Sequence, residues 1–259
     1  MSGPSSGPAP GPPAVRVAMW SGPRNISTAM MRSFGNRPDT VVVDEPLYAA
    51  YLQASGLEHP GREEILASQD CDWRRVTAAL VGPVPGGRRV YYQKHMTHHL
   101  LPQMGRDWVG RVTNAFLVRD PAGVVASYAR VRGEPTLEDL GFPQQVEIFR
   151  ACADLIGSAP PVVDAADVLA DPRGVLTLLC ERLGIGFDDR MLSWPAGPRP
   201  TDGVWAPYWY GSVEQSTGFG PPPTTRPDVP DRLLGLLERC RPYYDELCAH
   251  RLTTAGPPS

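Results

Sequence analysis

The chain has 259 residues, long enough for one large domain with a substantial core. Its 25 basic and 28 acidic residues leave a net charge of −3, so no global basic field points to a nucleic-acid partner. Five scattered cysteines without a C-x-x-C pair argue against a disulfide framework or a cysteine zinc site.

Residues 1–14 are rich in Pro, Gly and Ser, with neither a basic nor an apolar stretch. They read as a disordered tail, not a signal peptide. One domain is expected over 15–250, followed by a flexible tail at 251–259. No run approaches the length of a membrane span, so no membrane partner is expected. Cys152, Cys180 and Cys240 fall within apolar helical patterns and are expected to be buried thiols, in keeping with a reducing cytoplasm.

Val15 to Trp20 is a short apolar run, read as a buried strand. Ser21 to Asn25 is a turn punctuated by Gly22 and Pro23. A helix follows from Ser27, with Ala29, Met30 and Phe34 at helical spacing. Thr40 to Val43 is a second strand, ending in Asp44-Glu45-Pro46, and Pro46 is placed to open a helix through Leu52. A further helix is expected at Trp73 to Leu80. Arg89 to Gln93 reads as a third strand, with Lys94 and His95 directly after it. Asn114 to Val118 is a fourth strand. Asp120-Pro121 then caps and starts a helix to about Val131. Thr136 to Ile156 reads as one or two helices broken near Pro143, and Pro161 to Val163 as a fifth strand. Asp171-Pro172 opens a helix that Gly184 ends. Met191 to Pro223 is irregular and aromatic, and Asp231 to Leu247 is an amphipathic helix.

Strands alternating with helices predict an α/β fold with a central parallel sheet of about five strands and helices on both faces. In such sheets ligands bind beyond the carboxyl ends of the strands. Arg24, Glu45, Lys94, His95 and Arg119 each follow a predicted strand, so they converge on one rim. The first loop carries its own signal. The first N–H groups of a helix lack intrahelical partners and attract anions. Arg24 adds a cation, and the Ser27 and Thr28 hydroxyls sit where a phosphate would rest. Ser and Thr at a helix start also serve as ordinary caps. The Walker pattern is absent: aligning Ser27 or Thr28 with its last position puts Ile26 or Ser27 where the lysine belongs.

The loop resembles the 5′-phosphosulfate loop, P-[KR]-S-G-[ST]-T, of sulfotransferases that use PAPS (3′-phosphoadenosine 5′-phosphosulfate). Pro23, Arg24, Ser27 and Thr28 match, while Asn25 and Ile26 replace Ser-Gly. The Ile26 N–H is expected to remain available to the ligand. In LVRDPAGVVASYARVR, Arg119 and Ser127 have the spacing of that family's 3′-phosphate site. The chain looks closer to bacterial sulfotransferase-like proteins than to the animal steroid and phenol enzymes. The resemblance implies a P-loop-like three-layer α/β/α fold and PAPS as co-substrate, held by Arg24, Asn25, Ile26, Ser27, Thr28, Arg119 and Ser127. It implies sulfuryl transfer to a hydroxyl or amine of a small-molecule acceptor. No metal is expected, because the sulfuryl group is monoanionic; His95, His98 and His99 have no nearby carboxylate or cysteine to complete a set. Arg24 is the residue expected at the leaving oxygen, with Lys94 as a second cation. The base is Glu45, which resembles the glutamate of Glu-Pro segments in carbohydrate-type members, or His95, one position off the Lys-x-His order of small-molecule members. Glu45 is favoured because its motif is in register. The segment from Asp202 to Phe219 departs from the Arg-Lys-Gly loop that completes the 3′-phosphate site in the cytosolic enzymes. Two alternatives stand beside this reading: a P-loop-type kinase using ATP, and a non-catalytic nucleotide-binding protein of the same fold. The acceptor and the oligomeric state are not legible.

Overall fold

A computed structural model describes residues 13–254. Five strands form one parallel sheet: β1 (Val15–Ser21), β2 (Thr40–Asp44), β3 (Val90–Met96), β4 (Thr113–Val118) and β5 (Val162–Asp164), in the order β2-β3-β1-β4-β5. All carboxyl ends therefore lie on one rim. Twelve α-helices occur among the described residues: α1 (Ser27–Gly35), α2 (Tyr48–Ser55), α3 (Arg62–Ser68), α4 (Trp73–Leu80), α5 (Pro121–Arg132), α6 (Leu137–Leu140), α7 (Phe142–Ile156), α8 (Ala165–Ala170), α9 (Pro172–Arg182), α10 (Ala206–Trp209), α11 (Gly211–Glu214) and α12 (Leu234–Cys248).

The central strands are apolar without alternation because both faces are covered. On one face Val17, Met19 and Tyr92 pack with Met30 and Phe34 of α1, Tyr51 and Leu52 of α2, and Leu176 and Leu179 of α9. On the other, Ala18, Trp20 and Phe116 pack with Leu80 of α4, Phe149 and Cys152 of α7, and Leu247 of α12. The expected three-layer arrangement follows from these two cores. Cys152, Cys180 and Cys240 are buried, as their patterns predicted. Among the described residues no helix is long and apolar enough to cross a membrane.

Three expectations change. β3 does not stop at Gln93. Met19, Trp20 and Ser21 of β1 pair with Lys94, His95 and Met96, so the sheet carries both polar residues inside the strand. Pro46 does not open α2, which starts at Tyr48 after a turn, with Leu47 at its cap position. The chain is also still anchored beyond residue 250: Arg251 bridges to Val162, and the Leu252 N–H donates to the Val162 carbonyl at 2.8 Å. The other tail expectations, at 1–12 and 255–259, lie outside the described residues.

Candidate active site

The turn after β1 is built by close approach. A Cβ on Gly22 would lie 2.9 Å from the Leu140 carbonyl oxygen, so α6 and the turn meet there only through glycine. Arg24 then takes a left-handed conformation, φ 57°. Only two non-glycine residues among those described have positive φ: Arg24, and Glu45 at 39°. Such backbone costs about 1–3 kcal/mol per residue and gathers at functional sites. Here both strained residues are strand-end candidates.

The Arg24 twist turns its carbonyl toward Arg119, whose Nη1 donates to it at 2.6 Å. The Arg24 side chain reaches the other way across the rim, and its Nε donates to Ser127 Oγ at 3.0 Å. Loop β1–α1 and helix α5 are thus joined through the three residues named for phosphate contact. Asp120 caps α5 by accepting from the Ala122 N–H at 2.8 Å, with Pro121 in the first turn, so Arg119 leaves β4 just ahead of a fixed helix start. Neither Arg24 nor Arg119 has a carboxylate within ion-pair distance among the described residues. Burial and then the charge of Arg130 hold the Arg24 guanidinium below its ordinary pKa; burial, then Arg24 and Arg130, do the same for Arg119. Asp120 and Asp164 offset this only in part for Arg119; cations crowded without a paired carboxylate are a place where an anion is stabilised.

Helix α1 presents its N-terminus beside them. Its cap position, Ile26, makes no side-chain capping bond, and its first turn holds no acidic residue. The Ile26 N–H is not free as expected: it donates to Asn25 Oδ1 at 2.8 Å, while Asn25 Nδ2 donates to the Leu117 carbonyl at 3.1 Å. Asn25 therefore braces the loop against β4. Ser27 and Thr28, the first two residues of α1, line the cavity on the rim, while the Ile26 amide is engaged by Asn25.

One cavity of about 380 Å³ runs along the rim and is lined by Arg24 through Thr28, Glu45, Lys94, Arg119 and Ser127. Nine of the ten residues singled out from sequence meet there. The tenth, His95, does not. Neighbouring strand residues point to opposite faces, so with β3 extended, Lys94 faces the α1 side and His95 the α7 side. His95 stacks on Trp20 at 4.4 Å, and burial pushes its pKa down to about 3. It is a packed ring.

A different histidine reaches the cavity. His99 lies in the turn after β3, stacked on Tyr48 and Tyr51, with Nδ1 3.8 Å from Glu45 Oε2. That buried Nδ1 makes no hydrogen bond. Burial, reinforced by His98 and His59, holds His99 well below its ordinary pKa, so it is neutral. The His98-His99 pair was visible in the sequence, but only the turn shows which ring faces Glu45. Glu45 itself is fixed by its backbone: its N–H donates to the Lys94 carbonyl at 2.9 Å, and its own carbonyl accepts from Tyr48 N–H and Gln69 Nε2. Burial raises its carboxyl pKa, Lys94 draws it back, and Asp44 raises it further.

Lys94 is the most altered in meaning. It is 1% exposed and donates to Asp44 Oδ1 at 2.8 Å, Glu45 Oε1 at 2.6 Å and the Tyr210 hydroxyl at 2.7 Å. The irregular aromatic segment thus closes the site. Trp205 and Tyr210 are buried, Trp209 and Tyr210 line the cavity, and Tyr208 is exposed.

A family model described as "Sulfotransferase domain" matches residues 15–251. Branched-chain-amino-acid aminotransferase-like proteins 1 and 2 of Arabidopsis thaliana are 38% and 35% identical to this chain over 234 residues, 90% of its length. The match covers 42% and 41% of those proteins, so the chain spans about two-fifths of the curated relatives it matches. A solved structure, the sulfotransferase from Alicyclobacillus acidocaldarius, superposes with a TM-score of 0.53 at 11% identity, over 92% of this chain and 97% of that one. At that identity the likeness is one of fold, and it agrees with the parallel five-stranded sheet. With the model match running from the start of β1 to the bridge at Arg251, the chain belongs to the sulfotransferase domain family.

Proposed function

We propose that this chain transfers the sulfuryl group of PAPS to a hydroxyl of a small-molecule acceptor. The observation that carries the reading is the Arg24–Arg119–Ser127 cluster. It sets two guanidinium groups that form no ion pair among the described residues beside the open N-terminus of α1, in the cavity that also holds Glu45. Two anionic groups on one ligand, a 3′-phosphate and a 5′-phosphosulfate, fit two neighbouring cationic stations. Arg119 and Ser127 take the 3′-phosphate; Arg24, with the Ser27 and Thr28 amides, takes the 5′ end.

In the transfer, the acceptor oxygen bonds to sulfur as the sulfur–oxygen bond to the 5′-phosphate breaks. Glu45 receives the acceptor proton, and the leaving phosphate oxygen keeps the electron pair. The products are a sulfate ester and adenosine 3′,5′-bisphosphate. Most of the barrier reduction comes from in-line positioning and from Arg24 and the helix amides meeting the charge on the leaving oxygen. Glu45 suits the base role because burial raises its affinity for a proton. The name of the Arabidopsis relatives describes proteins more than twice as long, and it assigns no transamination to this chain.

Adenosine 3′,5′-bisphosphate without metal is expected to raise the melting temperature, corresponding to about 2.7 kcal/mol at 100 times its Kd. Stabilisation by ATP with magnesium and none by the bisphosphate would replace this reading with the kinase one. Binding of the bisphosphate with no transfer to any phenol or alcohol would favour the non-catalytic alternative. Arg119→Ala should weaken the bisphosphate by about 1.5–3 kcal/mol and adenosine 5′-monophosphate, which lacks the 3′-phosphate, far less. Equal losses in calorimetric titrations would remove Arg119 from the 3′-phosphate.

A further inference from the structure

Lys94 is the only lysine in the chain; the other 24 cationic side chains are arginines. An ammonium has three N–H donors and no more. All three are committed here, to Asp44, Glu45 and Tyr210. None remains for a sulfuryl or phosphate oxygen.

The partners are themselves held. Asp44 lies directly across from Lys94 in the β2–β3 register, so their side chains share a face. Asp44 Oδ2 accepts from the Tyr210 hydroxyl at 2.5 Å and from the Gly203 N–H at 3.2 Å. The Tyr210 oxygen also accepts from Trp205 Nε1 at 3.2 Å. Arg32 of α1 pins the same segment through Asp202 at 2.7 Å, with both side chains buried. We propose that Asp44 and Tyr210 are positioning residues that lock Lys94 as the standing counter-ion of Glu45, on the acceptor side of the site and out of reach of the donor. The inference rests on the reading of Glu45 as base.

A lysine is needed because the three acceptors surround one point. A planar guanidinium spreads its donors over a fork and cannot converge them there. The groups facing Glu45 are Asp44 on β2, Lys94 on β3, His99 in the turn after β3 and Tyr210 in the late segment. His99 is neutral, and burial followed by the charge of Asp44 keeps Tyr210 protonated. The cluster therefore holds two carboxylates against one cation. Glu45 shares its cation with Asp44, so Lys94 only partly offsets the burial and the Asp44 charge that raise its basicity.

The single lysine makes the test direct. In protein labelled with ¹⁵N-lysine, one ammonium signal is expected, slowly exchanging because it is buried. Saturating adenosine 3′,5′-bisphosphate should leave it in place, whereas Asp44→Asn and Tyr210→Phe should each move it. A large shift on adding the bisphosphate to the native protein would show Lys94 turning to the donor and would overturn the inference. With a phenol acceptor and labelled PAPS, Asp44→Asn should move the acid limb of kcat/KM down by about one pH unit, since Glu45 loses a neighbouring negative charge. Tyr210→Phe should lower kcat and leave the bisphosphate Kd unchanged. An unmoved acid limb, or a Kd that weakens in step with kcat, counts against positioning and for a merely structural role. The Glu45 reading fails separately: an active Glu45→Gln removes the base while the ammonium signal still reports whether the lock exists.

Discussion

Glu45→Gln is expected to fold, to bind adenosine 3′,5′-bisphosphate with native affinity, and to lose turnover by about 10²–10⁴. Glutamine keeps the shape, and its carbonyl still accepts from Lys94. What it cannot do is take a proton. Glu45 is hydrogen-bonded to Lys94, whereas Arg24 bonds Ser127 and Arg119, so on the proposed reading co-substrate affinity and turnover separate. The native enzyme should show an acid limb in kcat/KM. Glu45 must be ionised, and burial sets that limb above the ordinary carboxylate value. His99→Asn is the companion measurement, because that ring is 3.8 Å from the same carboxylate. A smaller loss there leaves Glu45 as base. If Glu45→Gln stays near full activity and His99→Asn is dead, the proton goes to His99 instead.

Lys94→Met is expected to cost about 3–5 kcal/mol of stability, the cost of removing one partner from a buried ion pair. For a chain of this size each kcal/mol moves the melting temperature by about 2–4 °C. The substitution leaves Asp44 and Glu45 buried side by side without a cation. The loss should depend on pH. In this variant burial and the Asp44 charge raise the Glu45 pKa with no lysine to oppose them, so the folded state binds a proton more tightly than the unfolded one. That contribution to stability is fully present below the unfolded pKa and is lost as pH rises through the folded one. The gap to the native melting temperature should therefore widen from acid toward neutral pH. A pH-independent gap, or none, would show that Lys94 carries no charge in its native setting. Lys94→Arg keeps the charge and should still be destabilised, because a guanidinium does not fit three acceptors around one point.

Much of the architecture was legible along the chain because its causes are local. The five strands, the Asp120-Pro121 helix start and the burial of Cys152, Cys180 and Cys240 follow from apolar runs, capping chemistry and helical spacing. The same locality brought Arg24, Ser27, Thr28, Arg119 and Ser127 into view, since each sits at a strand–helix junction whose pattern is contiguous. Where β3 ends is not a local matter. Its last three residues are strand because β1 offers Met19, Trp20 and Ser21 as partners, and that pairing sends Lys94 and His95 to opposite faces. His95 was thereby lost to the site, and the turn after the strand supplied His99 in its place. The role of Lys94 was further still from reach. Tyr210 arrives from 116 residues away, on a segment with no periodicity to announce it. Contiguous strand–helix patterns were enough to bring nine of the ten singled-out residues to the rim. Which donors stay free to meet a ligand depends instead on long-range partners such as Tyr210, because a donor's availability is set by the groups that folding brings to it.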